Sequence, residues 1–412
     1  MRSILINAYA CSPKMGSEPG MAWNWCVNLA KYCELHIITE GEFRDRIEAA
    51  LPTLPQGRNM HFYYNPVSDE IRRMCWNQGD WRFYKYYRKW QWKTYLIAKE
   101  IYGKRKIDIL HQLNMIGFRE PGYLWKLSKE TGIPFVWGPV DAKDKFPLAY
   151  TNGASCKTKL FLWLKNTITC WQLRHSRRVR NAAITATVVL SASSNSVKSF
   201  KKYLAVDTVL LNETGVSITT MMKPKDVGKK TFDILWVGKL DFRKQLGLAL
   251  RSVATAYHDD IRLHIIGGGD SSRYLSEAEK LGIGDICIIH GQISHDEVQA
   301  LMQKADILLF TSVAEGTPHV VLEAIGSHLP VVCFDTCGQG DCVNEKVGIK
   351  IPLTHPEQSV KDFAEKIELL YNHRDVLKNL SDNCIERQKE LSWDNKAKRV
   401  VELYELAMRK GK

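Results

Sequence analysis

The chain has 412 residues, 45% hydrophobic and 25% charged, with a net charge of +13. That length suits two or three domains of ordinary size, and the composition is typical of a soluble globular protein. No uncharged apolar stretch of about 18 residues occurs, so a transmembrane helix is not expected. The first apolar run is too short for a secretory signal, and the eleven cysteines lack disulfide-framework spacing. These features favour a reducing, cytoplasmic compartment.

The first half alternates short apolar runs with helical stretches, which predicts a doubly wound parallel sheet. The loop 11–20 follows the first strand and contains Gly16 and Gly20. It lies where open α/β sheets bind ligands, but it has no G-x-G-x-x-G pattern typical of nicotinamide-binding proteins. The fourth predicted strand ends with His111. The strands predicted in this half are 4–8, 35–39, 61–64, 107–111, 135–138, 187–191 and 208–211.

Two segments of the first half are basic and rich in aromatic residues. Residues 72–106 hold eleven Lys and Arg against Asp80 and Glu100, and residues 157–180 hold seven with no acidic residue. Aromatic rings among cations suit the headgroup layer of an anionic membrane. The same composition also suits a solvated face over buried rings, or the binding of single-stranded nucleic acid. We expect a membrane surface rather than a nucleic acid as the partner.

The second half repeats the strand and helix alternation after a polar, basic stretch at 217–231, which is the predicted linker. Its strands are predicted at 234–237, 263–266, 286–290, 307–310 and 331–334. The predicted domains are therefore 1–216, joined by a returning segment at 392–412, and 217–391. The last segment is a helical pattern opened by Ser392. Cys333, Cys337 and Cys342 contain no C-x-x-C pair, so we expect apolar filling rather than a metal site there.

Two glycine turns follow strands of the second half. Gly238 lies between the strand at 234–237 and two lysines, Lys239 and Lys244, and a second strand runs into 267–269. A glycine lets the chain approach a ligand closely, and lysines place point charges on phosphate oxygens. This arrangement predicts a phosphate-binding turn.

A pair of glutamates surrounds a predicted helix start after the strand at 307–310. Thr317 is a suitable N-cap, and Pro318 suits the first helical position. Glu315 then lies in the loop and Glu323 within the helix, roughly 10 Å further along it. Because a helix N-terminus attracts anions, the two carboxylates with this helix end suit a sugar, a diphosphate and a ribose.

The glycine turn, the downstream lysine and the E-x7-E pair together resemble the nucleotide-sugar glycosyltransferases of family 4. The resemblance covers most of residues 230–345 and implies the GT-B fold, with two Rossmann-like doubly wound domains that face a cleft and a C-terminal helix that crosses back to the first domain. It implies that Glu323 binds the ribose and Glu315 the donor sugar. Lysine stands at 239 where the family usually has arginine, and Pro318 replaces a frequent glycine.

The resemblance also assigns the remaining site residues. Lys239 and Lys244 are expected on the diphosphate, with Gly316 and Thr317 as backbone donors and Gly16 across the cleft. His111 is expected to face the transferred sugar, so that His111, Lys244 and Glu315 form the catalytic set.

The activity implied is transfer of a sugar, with retention of configuration, from a nucleotide sugar to a saccharide or lipid-linked saccharide in cell-surface polysaccharide synthesis. The chain has no D-x-D triplet, so no metal or other cofactor is expected. We expect a cytoplasmic enzyme at the inner face of the plasma membrane. Two alternatives stay open: an epimerase of the same fold acting on a nucleotide sugar, and a basic nucleic-acid-binding protein.

Overall fold

The computed structural model describes residues 1–77, 80–142, 145–218 and 229–410. The chain forms two compact units. The first comprises 1–143, 168–214 and 393–412, and the second comprises 144–167 and 215–392. Each unit is built around one parallel sheet.

The first unit contains a seven-stranded parallel sheet in the order β3-β2-β1-β4-β5-β6-β7. Ile4 in its central strand pairs with Leu35 on one side and Ile109 on the other. The strands are almost entirely buried in the middle of the sheet, as expected where helices cover both faces. They are β1 (Arg2–Ala8), β2 (Cys33–Thr39), β3 (Met60–Tyr64), β4 (Ile109–Asn114), β5 (Phe135–Val140), β6 (Val188–Ser191) and β7 (Val209–Leu210).

Helices connect these strands, and the connection between β5 and β6 is the longest. The helices are α1 (Ser17–Leu29), α2 (Arg44–Ala50), α3 (Asp69–Trp76), α4 (Phe83–Lys104), α5 (Leu124–Thr131), α6 (Cys156–His175), α7 (Arg177–Thr185) and α8 (Ser194–Leu204). Across the described ranges, none of the helices is both long enough and apolar enough to cross a membrane.

The second unit contains a six-stranded parallel sheet in the order β10-β9-β8-β11-β12-β13. Its strands are β8 (Phe232–Val237), β9 (Ile261–Ile266), β10 (Cys287–Gly291), β11 (Ile307–Phe310), β12 (Val331–Phe334) and β13 (Gly348–Ile351). Its helices are α9 (Leu246–Thr255), α10 (Ser272–Lys280), α11 (His295–Lys304), α12 (His319–Gly326), α13 (Cys337–Cys342), α14 (Pro356–Asn372) and α15 (Arg374–Glu390). Cys333, Cys337 and Cys342 are all buried there.

The last helix, α16 (Trp393–Lys410), belongs to the first unit. Trp393 packs edge-on against Trp25, with 5.5 Å between the ring centroids, and Lys396 donates to the carbonyl oxygens of Asn212 and Thr214. A buried apolar stripe and a buried ammonium group with two acceptors hold this helix in place. The predicted return of the chain to its first domain is therefore confirmed.

The observed units differ from the predicted domains in one long segment, and by one or two residues at the other boundaries. Residues 145–167 belong to the second unit, although the prediction placed all of 1–216 in the first. Phe146 packs on Phe242, and the Tyr150 hydroxyl lies 2.7 Å from that of Ser359. A sequence pattern does not reveal such an excursion, because it depends on contacts far along the chain. Of the predicted linker, residues 219–228 lie outside the described ranges.

Candidate functional site

The second unit has a topological switch point between β8 and β11. The chain leaves β8 for β9 on one side and arrives at β11 on the other. At such a point the two connections diverge and open a crevice outside the carboxyl ends of the strands, which is where α/β sheets bind ligands. The lysine turn follows β8 and the first glutamate follows β11, so the fold brings both parts of the predicted motif to this edge.

The two glycine turns are hydrogen-bonded to each other. The Gly238 amide donates to Ile266 and the Leu240 amide donates to Gly268, both at 2.9 Å. Gly267 has φ +151°, and a Cβ built there would lie 1.8 Å from the Gly238 carbonyl oxygen. Only glycine fits this close approach. The turn that carries the lysines is thus fixed by its neighbour.

Lys244 and Glu315 form an ion pair, although they are 71 positions apart in the chain. The lysine ammonium also lies 5.5 Å from the centre of the Phe310 ring. Ser312 donates to the same carboxylate oxygen that Lys244 contacts. No hydrogen bond from the described residues reaches the other oxygen of Glu315. Both side chains are about four-fifths buried, with 19% and 18% exposed, so the pair acts with little solvent screening.

The backbone around Lys244 is held by two side chains that the motif does not include. Thr311 donates to the Lys244 carbonyl at 2.8 Å. Gln245 is buried with φ +55°, and its amide donates to the Tyr150 carbonyl at 2.7 Å. These contacts fix where the lysine side chain leaves the turn. No local signal identifies Thr311 and Gln245, because each acts through residues distant in sequence.

The helix that carries the second glutamate begins later than predicted. Pro318 is the N-cap and α12 starts at His319, so Thr317 does not cap the helix. Thr317 and Gly316 instead belong to the preceding loop, where the Gly316 carbonyl accepts from the Gly338 amide at 3.0 Å. Glu323 lies in the second turn of α12, partly exposed, 3.4 Å from the imidazole of His295. His295 was not predicted as a site residue.

Lys239 is exposed, in contrast to Lys244. Among the described residues no carboxylate lies within ion-pair distance of it. Arg243, between the two lysines, is paired with Asp241 at 2.6 Å, and this pairing raises the pKa of the guanidinium. The turn therefore presents Lys239 as its accessible cation and holds Lys244 by its ion pair.

His111 does not have the position that was predicted. The strand continues to Asn114, so His111 lies inside β4 and is fully buried. Its Nε2 lies 2.6 Å from the Gly138 carbonyl and its Nδ1 lies 2.5 Å from the Tyr404 hydroxyl. A carbonyl only accepts, so Nε2 carries the proton and Nδ1 accepts from Tyr404. With both nitrogens bonded, the ring links the sheet to α16 and does not face a substrate.

Burial lowers the pKa of His111 to about 4, against an opposing hydrogen bond to Gly138. Between its unfolded value and about 4, the unfolded chain binds a proton that the folded chain does not. We therefore expect this residue to lower the free energy of unfolding by about 3 kcal/mol as the pH falls through that window. Above the window it should have no such effect.

His111→Gln should remove this pH dependence. As the pH falls from 7 to 4.5 the wild type loses stability and the variant does not, so the difference between their free energies of unfolding should shrink. Urea denaturation of both proteins at several pH values measures it. Sugar transfer at pH 7.5 should change less than about tenfold, whereas loss of a catalytic base typically costs a factor of 10² or more. A large loss of transfer by a fully folded variant would restore the predicted catalytic role.

Gly16 is the N-cap residue of α1, directly before Ser17, in the first unit. Nothing lies within 4 Å of a Cβ built at Gly16. A cavity of 220 Å³ is found nearby at the carboxyl ends of β1, β2 and β4. Tyr9, Ser17, Glu18, Glu42, Trp76 and Met115 are among its lining residues. It lies at the switch point of the first sheet, where ligands are expected. The sequence indicated only the glycine loop, because the other walls come from separate connections.

Residues 217–390 match the family of glycosyl transferases group 1. An uncharacterized glycosyltransferase of Methanocaldococcus jannaschii is 28% identical over 178 residues, which are 42% of this chain and 45% of the relative. The N,N'-diacetylbacillosaminyl-diphospho-undecaprenol alpha-1,3-N-acetylgalactosaminyltransferase of Campylobacter jejuni is 29% identical over 154 residues, 37% of this chain and 39% of the relative. The chain thus spans less than half the length of each of these relatives.

The structure is similar over its whole length to that of HepE from Anabaena, solved in complex with UDP. The TM-score is 0.60 at 13% identity, covering 98% of this chain and 99% of HepE. At this identity the similarity concerns the fold, and the predicted α/β class with two Rossmann-like domains of the GT-B type is confirmed. The sequence match to the glycosyl transferases group 1 family covers residues 217–390, less than half of the chain, while the similarity of fold covers nearly all of it.

Proposed function

We propose that the protein is a glycosyltransferase that moves a sugar from a nucleotide sugar to a saccharide or lipid-linked saccharide acceptor, in the synthesis of a cell-surface polysaccharide. The observation that carries this proposal is the ion pair of Lys244 and Glu315 at the switch point of the second sheet. Lys244 can bind a phosphate and Glu315 can accept hydrogen bonds from sugar hydroxyls. The pair lies at the edge of the sheet where a nucleotide binds.

Charge development on the departing diphosphate sets the main task of the site. Lys239 and Lys244 neutralise that charge from the glycine turn. Glu315 accepts from hydroxyls of the donor sugar through the oxygen that receives no hydrogen bond from the described residues, while Lys244 and Ser312 hold its other oxygen. Glu323 accepts from the ribose hydroxyls. Retention of configuration is proposed from the family 4 resemblance of this motif.

A uridine nucleotide is the first donor to test, since HepE was solved with UDP. The Campylobacter relative is named for a diphospho-undecaprenol substrate, which supports a lipid-linked acceptor. The cavity of the first unit has suitable chemistry for a saccharide, because aromatic rings pack on sugar faces and carboxylates accept from hydroxyls. We propose that the acceptor sugar binds there, against Trp76 and Glu18.

Glu323→Ala tests the donor assignment. A charged hydrogen bond contributes about 1.5–3 kcal/mol, so we expect the Kd for the UDP-sugar to rise about 10- to 150-fold. Thermal denaturation with and without UDP-sugars measures this as a lost ligand-induced shift in Tm. Glu368→Ala removes an exposed carboxylate elsewhere in the same unit and should leave the shift unchanged.

The reaction itself is tested with donor and acceptor added separately. A retaining transferase releases a nucleoside diphosphate when an acceptor is added and forms a product with the anomeric configuration of the donor, which NMR identifies. Conversion of the donor sugar to its epimer without acceptor would favour the epimerase. The alternative of a nucleic-acid-binding protein predicts that the wild type binds no donor. It also predicts salt-sensitive binding of RNA that persists in Glu323→Ala. Transfer that is abolished by EDTA would contradict the expected metal independence.

A further inference from the structure

The two basic aromatic segments differ in the structure. In α4, Phe83, Tyr87, Trp90 and Tyr95 are buried in the protein core. Several of its cations are neutralised by carboxylates, as in the pairs of Arg88 with Glu120 and Lys99 with Glu130. Trp81 and Trp92 remain 79% and 42% exposed, so this segment combines core, paired surface and some exposed rings. The helix α6 is different.

A narrow stripe of α6 is buried. Leu162, Thr169 and Leu173 pack inward at intervals of seven and four residues, so they lie on one side of the helix. Leu162 packs in the core of the second unit and Leu173 in a core of the first. Asn166, Cys170 and Gln172 beside this stripe are half-buried and hydrogen-bonded to the protein, and the opposite side of the helix faces outward.

The side opposite the buried stripe is apolar and exposed. Leu160, Leu164, Ile168 and Trp171 follow one another at intervals of four, four and three residues, which places them on a single face. Phe161 and Trp163 extend that face on either side. These six side chains are between 43% and 64% exposed. A soluble helix normally presents polar residues on this side, so the face has the composition of a contact surface.

The charges around the face identify its partner. Residues 156–175 contain Lys157, Lys159, Lys165 and Arg174 and no acidic residue. Within the described ranges, Lys157, Lys159 and Arg174 have no carboxylate at ion-pair distance. A second copy of the chain would bring like charges together, which opposes association through this face. An anionic bilayer offers an apolar layer and negative headgroups together, and each cation near it contributes about 1 kcal/mol.

We propose that the exposed face of α6 lies in the interface of an anionic membrane, with the leucine, isoleucine, phenylalanine and tryptophan side chains at the level of the headgroups and upper acyl chains. Lys157, Lys159 and Arg174 then contact lipid phosphates beside them. The helix lies parallel to the membrane plane, held to the protein by its buried stripe. This inference does not rest on the proposed function, because it concerns binding in the absence of any sugar.

Sedimentation of the full chain with vesicles tests the proposal. Vesicles of phosphatidylcholine with one-third phosphatidylglycerol should bind the protein, and vesicles of phosphatidylcholine alone should bind it about tenfold more weakly or not at all. Phe161→Ser with Trp171→Ser should weaken binding to the anionic vesicles by about tenfold or more. Lys157→Gln with Lys159→Gln should weaken it and reduce its salt dependence.

The control replaces two exposed apolar residues on other helices, Leu275→Ser with Ile385→Ser, and should bind like the wild type. Thermal denaturation establishes that all variants fold. Binding of the Phe161 and Trp171 variant at wild-type strength would overturn the proposal, as would absence of binding to anionic vesicles. A wild-type dimer that this variant converts to a monomer in analytical ultracentrifugation would assign the face to a second copy. Single-stranded RNA that competes with the vesicles and depends on the same two residues would assign it to nucleic acid.

Discussion

Lys244→Met is expected to lower kcat/KM for sugar transfer by a factor of about 10²–10³ while the protein remains folded. Lys244 is the partly buried cation at the switch point, whereas Lys239, the other lysine of the turn, is exposed to solvent and so replaces it poorly. Removing one preorganised charge from a developing anion typically costs about 2.7–4 kcal/mol of transition-state stabilisation. Steady-state kinetics with a UDP-sugar and acceptor measure the change, and Lys361→Met, on the exposed surface of α14, is the control.

The partnership of Lys244 with Glu315 is tested by a double-mutant cycle. Glu315→Gln keeps the shape of the side chain and removes its charge. If the two residues act as one unit, the double variant should be no slower than the slower single variant, so the effects are not additive. Full additivity, or a Lys244→Met variant as active as the wild type, would mean that the ion pair only stabilises the fold.

Gly267→Ala is expected to abolish donor binding and to lower the free energy of unfolding of the second unit by about 3 kcal/mol. The added methyl would lie 1.8 Å from the Gly238 carbonyl oxygen, and the φ of +151° is unfavourable for alanine. Relief of this clash must separate the two glycine turns and displace Lys239 and Lys244. Urea denaturation and UDP-sugar titration measure the two effects.

Gly268→Ala, one residue away, is the matched control for this prediction. Its added methyl would meet only the end of the Gln292 side chain, at 3.1 Å. That side chain can move, so donor affinity and stability should change little. Equal effects of the two substitutions would show that general loop rigidity, rather than the contact of the two turns, determines donor binding.

The sequence by itself determined the fold class and predicted the residues of the proposed donor site. Apolar runs of four or five residues between helical stretches predicted twelve strands that the structure contains, with no end shifted by more than three residues. It missed β13, a short edge strand with two half-exposed residues and little apolar signal. Lys239, Lys244, Glu315 and Glu323 were predicted from spacing, because glycine turns and helix starts place side chains through local backbone geometry.

Tertiary structure decided what depends on contacts between distant residues. His111 has the sequence context of a strand end, yet the strand continues past it and α16 supplies the hydroxyl that occupies its second nitrogen. The segment 145–167 joins the second unit through Phe146 and Tyr150. The backbone of Lys244, the lysine proposed to bind phosphate, is held by Thr311, 67 residues away. The outward face of α6 became distinct from the core aromatics of α4 only when burial was known, because composition does not separate a ring that packs inward from one that faces solvent.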